Sequence, residues 1–143
     1  MKVFFIIFFS AILGLSSFYL FQDRTPSPYQ DPELVESMER GSEIYADFCV
    51  TCHLPEGEGA GSTFPPLAGS DYLMENREAS IRGVKYGQQQ EIVVNGKTYT
   101  TAMPDPGLED EEVADVMNYI LNSWGNSSEQ IVTVKEVEGI AEE

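Results

Sequence analysis

Two cysteines and one histidine fall within five consecutive residues, Cys49-Val50-Thr51-Cys52-His53, and the 143-residue chain has no other cysteine or histidine. Cys-x-x-Cys-His is the attachment signature of c-type haem. Each thiol can add across one haem vinyl group to form a thioether, and the adjacent imidazole is then placed to become an axial ligand of the iron. A chain built on this motif must wrap a large apolar disc that is bonded to one short stretch of backbone. Rival chemistries fit less well. A structural zinc site needs four ligands, and only three such side chains exist. A thioredoxin-like pair wants a strand before it and a helix after it; here a helical pattern precedes the pair and a Gly/Pro loop comes after. A disulfide between Cys49 and Cys52 would close too small a loop to stabilise much.

The chain's charge narrows the range of partners. Net charge is -16, with 24 acids against 8 bases. Such a surface argues against nucleic acid, whose phosphates demand cations. It favours redox partner proteins with a basic docking patch, found through long-range attraction; keeping the protein soluble is the plainer use of the same charge. The N-terminus carries a different signal. After Met1-Lys2, the 19 residues from Val3 to Phe21 hold no charge and are rich in Phe, Ile and Leu. About 20 apolar residues are enough to cross a bilayer as a helix. Residues 1–21 therefore read as a membrane anchor, with Lys2 inside and the domain outside. Gly14-Leu15-Ser16 leaves open the alternative of a cleaved signal peptide. Both readings put residues 32–125 on the periplasmic side of the cytoplasmic membrane. Residues 22–31, with Pro26 and Pro28, read as a tether.

Along the domain, Asp31-Pro32-Glu33 is a helix start, and Leu34, Met38, Ile44, Tyr45 and Phe48 suggest one apolar face running into the motif. Residues 54–69 are broken by Gly57, Gly59, Gly61, Pro55, Pro65 and Pro66. A second helix is expected over about Tyr72–Val84. Residues 91–100 read as a β-hairpin turning at Asn95-Gly96. Met103-Pro104-Asp105-Pro106-Gly107 must be loop. The last helix, from Asp110 to about Ser123, aligns Val113, Val116, Met117, Ile120, Leu121 and Trp124 on one face. Residues 126–143 form an acidic tail whose alternation at Ile131-Val132-Thr133-Val134 reads as an edge strand or a docking tail.

An electron carrier with both axial positions filled needs a second ligand, and methionine is the soft donor to seek. Met38 and Met117 fit helix faces, where methionine usually fills core. Met74 begins a helix. Met103 lies in a proline-stiffened loop with no helix face to fill and is the best candidate, with Met74 in reserve. Without a sixth ligand the haem would be open to peroxide or small gases, as in a peroxidase or gas sensor.

With these residues placed, the chain resembles the small monohaem class I cytochromes c with His/Met iron, in their short bacterial form, over about residues 33–125. Gly41 and Tyr45 match the glycine and aromatic of that family's first helix, and Val116 and Tyr119 their partners on the last. Phe64-Pro65-Pro66-Leu67 resembles its proline loop, in which a proline carbonyl, here that of Pro65 or else Pro66, accepts the ligating histidine's proton. The stretch from Arg82-Gly83 through Asn95-Gly96-Lys97 and Tyr99 to Met103-Pro104 is similar to a hairpin-bearing subgroup that often works with respiratory oxidases or periplasmic dehydrogenases. The resemblance implies a mainly α fold of three to four helices with a short hairpin. It implies one covalent haem c, iron ligands His53 and Met103, and further cofactor contacts at Pro65, Tyr99 and Arg82. Two of Arg82, Lys85 and Lys97 are candidates to meet the haem propionates; the plainer reading leaves all three as solvated surface cations. The function implied is one-electron transfer, not catalysis, either as a carrier or as a relay subunit fixed in an oxidase or dehydrogenase.

Overall fold

A computed structural model describes residues 31–142. The expected anchor and most of the tether lie outside the described residues. Among the described residues, six α-helices, one π-helical turn and a two-stranded hairpin make up the domain. Helix α1 spans Pro32–Ile44, with Glu33 in its first turn, where the helix dipole favours an acid. A single π-helical turn, Tyr45–Cys49, carries it into the short helix α2, Val50–His53. The π turn holds one residue more than an α turn and so rotates α2 around the helix axis. The expected apolar face is corrected accordingly. Phe48 is 54% exposed, and the buried line is Ser37, Gly41 and Tyr45.

The second helix also needs correction. It is two helices, α3 (Asp71–Glu75) and α4 (Arg77–Tyr86). Asn76 interrupts them with φ -117 and ψ 59, and its side-chain amide donates to the Tyr72 carbonyl. A short amide side chain that competes for backbone partners in this way ends a helix locally. Strands β1 (Ile92–Val94) and β2 (Lys97–Tyr99) pair antiparallel, with Ile92 opposite Tyr99 and Val94 opposite Lys97. Asn95 and Gly96 both have positive φ, the requirement of a type I′ turn.

Helix α5, Asp110–Leu121, is the centre of the fold. Glu109 caps it through a capping box with Glu112. Val113, Val116, Met117, Ile120 and Leu121 are at most 3% exposed. Ala114, Asp115 and Asn118 are buried as well, because α1 and the C-terminal segment cover the helix's other faces. That segment is neither an edge strand nor a free tail. It forms helix α6, Val134–Glu138, capped by Thr133, and it sinks Val132 and Val137 into the core. The Asn118 amide accepts from Val132 N at 2.7 Å and donates to Val132 O at 2.9 Å, serving one residue as a neighbouring strand would.

Candidate functional site

Beside α5 lies an apolar slit whose walls include Cys49, His53, Pro65, Leu73, Val84, Ile92, Val94, Met103, Val116 and Ile120. Elements from both halves of the sequence meet here. The motif residues come from the π turn and α2, Pro65 from the proline loop, Val94 from the hairpin and Met103 from the loop before α5.

His53 Nδ1 lies 3.0 Å from the Pro65 carbonyl oxygen. An imidazole nitrogen facing a carbonyl must carry the proton, so Nδ1–H donates and Nε2 keeps its lone pair for a metal. Burial disfavours the charged ring more than this bond favours it, so the His53 pKa is lowered and the neutral, ligating form prevails. The residue after it, Leu54, adopts φ 64 and ψ 163, a backbone region nearly reserved for glycine. The Tyr45 hydroxyl holds the Leu54 carbonyl at 2.6 Å. Strain thus sits against the candidate ligand and is contained by a side chain from the π turn.

The two cysteines are not joined as a disulfide, and both are partly exposed. Cys49 lines the slit; Cys52, one turn on, does not. Burial first, and the neighbouring Cys52 second, push the Cys49 thiol up to about 11. A redox-active Cys-x-x-Cys needs the opposite shift. On the other side, Met103 and Gln88 exchange backbone hydrogen bonds of 2.8 and 2.9 Å. Gly87 lets the two segments come this close: a Cβ there would stand 2.7 Å from the Met103 carbonyl oxygen. Met103 is therefore a loop methionine held by a fixed backbone.

Other expected site residues fall elsewhere. Tyr99 is 5% exposed but is not a wall of the slit; the Lys97 ammonium lies 5.2 Å from its ring centroid. Arg82 lines an adjoining polar hollow with Tyr86 and Glu142, which shares Tyr72, Ala79 and Gln88 with the slit. Its guanidinium donates to Glu78 and to the Ala141 carbonyl. Lys85 meets Asp110 and the Val137 carbonyl, and Lys97 the Gly61 carbonyl. Two slit residues of note escaped the sequence reading. Ser80 Oγ is buried without a hydrogen-bond partner among the described residues, and Gln88 fixes Met103. No sequence signal marks either one.

The residues fit a covalently held haem. Two thiols, a neutral histidine with one nitrogen free and a thioether accompany one narrow, almost wholly apolar slit. An unpartnered hydroxyl on its wall suits a polar edge of the group. Site and fold thus define a small, mainly helical haem protein. Comparison agrees: the cytochrome c family model matches residues 38–124. The chain belongs to the cytochrome c family. It is 40% identical over 92 residues to cytochrome c-552 of Thermus thermophilus, covering 61% of this chain and 70% of that one. It is 31% identical over 103 residues to the cytochrome c subunit of alcohol dehydrogenase (quinone) from Gluconobacter oxydans, covering 68% of this chain and 21% of that one. It is 30% identical over 105 residues to the gluconate 2-dehydrogenase cytochrome c subunit of Pantoea cypripedii, covering 71% and 24%. The protein is accordingly an electron carrier with one covalently bound haem c, attached at the Cys49–Cys52 pair.

Proposed function

We propose that His53 Nε2 and Met103 Sδ are the two axial ligands and that this chain passes single electrons between redox proteins on the periplasmic side of a bacterial membrane. When bound, the haem supplies the one-electron couple. Cys49 and Cys52 hold it by thioethers: each S–H adds across a vinyl double bond, forming one S–C and one C–H bond with no net oxidation. Pro65 accepts the His53 Nδ1 proton, which fixes the ring and makes it a stronger donor. Gln88 and Gly87 place Met103. The slit walls exclude water, which favours the less charged, reduced state. The carrying observation is the His53–Pro65 hydrogen bond on one wall of a slit that Met103 also lines.

Two kinds of partnership remain in view, a mobile carrier and a relay subunit within a larger enzyme. The dehydrogenase subunits among the relatives support the second. An anchor at residues 3–21, if uncleaved, would raise the local concentration at a membrane partner in either case. Among the described residues no helix is long and apolar enough to cross a membrane. Denaturing gels stained for haem, with the mass of the mature chain, test both covalent attachment and loss of the N-terminal segment. Met103→Ala tests the ligand. It should abolish the weak near-infrared Met–iron band, raise the high-spin fraction and lower the reduction potential. An unchanged ferric spectrum would refute Met103 and turn attention to Met74, 38% exposed and not a wall of the slit.

A further inference from the structure

What holds the Pro65 carbonyl in place is itself a structural question, since Pro65 lies in irregular chain. From one side, Leu67 N and Ala68 N both donate to the Gly57 carbonyl, at 2.7 and 2.9 Å. From the other side comes a single residue beyond α5, Asn126, only 8% exposed. Its Oδ1 accepts from Gly69 N at 2.9 Å. Its Nδ2 donates to the Leu67 carbonyl at 2.9 Å and to the Ile120 carbonyl at 2.8 Å. Both amide protons and one acceptor lone pair are thus used. Ile120 is itself a wall of the slit, so the amide ties the proline loop to the helix against which the haem must pack. No other side chain of this size does the same. Aspartate would set an oxygen against two carbonyls, and an apolar residue would take a partner from the Gly69 N–H and from the buried Ile120 carbonyl, leaving the Leu67 carbonyl only its longer bond from Ser70 N, at 3.3 Å. Asn126 lies just outside the matched family region, 38–124.

We infer that Asn126 is a positioning residue for the His53 ligand: it holds the Leu67–Gly69 segment so that the Pro65 carbonyl stays within hydrogen-bond reach of His53 Nδ1. It thereby adjusts the reduction potential from a distance. This inference rests on His53 being the ligand. A firm Nδ1–H···O bond makes the imidazole a stronger donor and favours the ferric state. Loosening the loop weakens that bond and favours the ferrous state.

The experiment uses full-length holoprotein and the variants Asn126→Ala, Asn126→Asp and Asn118→Ala. Asn118 is another buried amide, on α5, but it bonds to Ser37 and Val132, not to the proline loop. All three should lose stability. Of the three, Asn126→Ala should raise the reduction potential, by at least threefold in the ferrous-to-ferric ratio at fixed poise, about 28 mV at 59 mV per tenfold. Both Asn126 variants, and not Asn118→Ala, should speed exchange of the His53 Nδ1 proton, read by nitrogen-15 NMR on the ferrous form. Equal potentials and exchange rates in all variants and wild type would overturn the inference. So would an equal shift in Asn118→Ala, which would make the effect one of general loosening. Should Asn126→Ala fail to accumulate as holoprotein, Asn126→Asp, which keeps the acceptor for Gly69 N, is read on proton exchange alone, because its carboxylate lowers the potential by its own charge. Failure of the ligand reading shows itself separately, as wild-type holoprotein in which the His53 ring lacks the hyperfine-shifted signals of an iron ligand.

Discussion

Gly41 has no side chain because α5 leaves no room for one. A Cβ at this position would collide with the Asp115 carbonyl and stand 2.8 Å from the Tyr119 Cβ. Two helix backbones touch here, and neighbouring polar groups lock the crossing. Ser37 Oγ donates to Asp115 Oδ1 at 2.7 Å, and Arg40 grips the same carboxylate with two nitrogens, at 2.6 and 2.8 Å. One turn on, Tyr45, Tyr119 and Trp124 close a three-ring cluster with centroids 5.0 to 5.5 Å apart. Forcing a methyl group between packed backbones costs about 1–3 kcal/mol and sometimes more. Gly41→Ala should therefore lower holoprotein stability by about 2 kcal/mol or more, as a reduced guanidinium midpoint at unchanged slope. An alanine variant as stable as wild type would mean the helices can slide apart freely. The proposed ligands offer a contrast. His53, beside the Pro65 carbonyl, and Met103 are defined less by the space they fill than by which of their atoms stay free.

At the scale of elements, what the sequence made legible was whatever is encoded within one turn or one strand. Helix α5 was legible from its 3-4 spacing, the hairpin from Asn95-Gly96, and the haem-attachment turn from its own five residues. The break at Asn76, the π turn at Tyr45–Cys49 and the burial of the C-terminal segment were not. Each depends on a partner far away in sequence or on a choice between two nearly equal hydrogen-bond patterns. The C-terminal case shows this best. By sequence the segment reads as an acidic edge strand or docking tail, yet Glu136 is the partner of Arg77, at 2.6 and 2.8 Å, and Arg77 also holds the carbonyls of Gln130 and Ile131. The Arg77 hydrogen bond first, with its charge, lowers the Glu136 pKa below the usual carboxylate value of 4.5. A carboxylate lowered on folding contributes stability above its unfolded pKa and loses it as pH falls through the lower folded value. Glu136→Gln should therefore be less stable than wild type at neutral pH. The two should converge as pH drops below about 4, in the range where carboxylates take up protons. Thermal melts from pH 7 to pH 3 measure it. A gap that persists at the acid end would show that packing, not charge, makes the difference.

Over the whole molecule the charges do not balance, and pairing inside the domain leaves the excess of acids untouched. Four bases, Arg40, Arg77, Arg82 and Lys85, already face Asp115, Glu136, Glu78 and Asp110. Few cations are left to offset the remaining acids of a chain at -16. The two pairs with a largely exposed partner, Arg40–Asp115 and Arg82–Glu78, add little to stability by charge alone. Each pair cancels one base against one acid and leaves the net charge unchanged, so the field outside the protein is set by the excess of acids. An electron carrier must meet its partner often and leave quickly, and attraction between opposite fields raises the encounter rate by about 10–1000-fold at low salt. The field reaches about 30 Å at 0.01 M salt but only about 8 Å at 0.15 M. Stopped-flow oxidation of the ferrous protein by a basic soluble redox protein should therefore slow by about tenfold or more between those two salt concentrations. With an acidic acceptor of similar potential the rate should rise with salt instead, because screening then removes a repulsion. A rate independent of salt with both acceptors would sink the steering idea and leave the acidity with solubility as its only role.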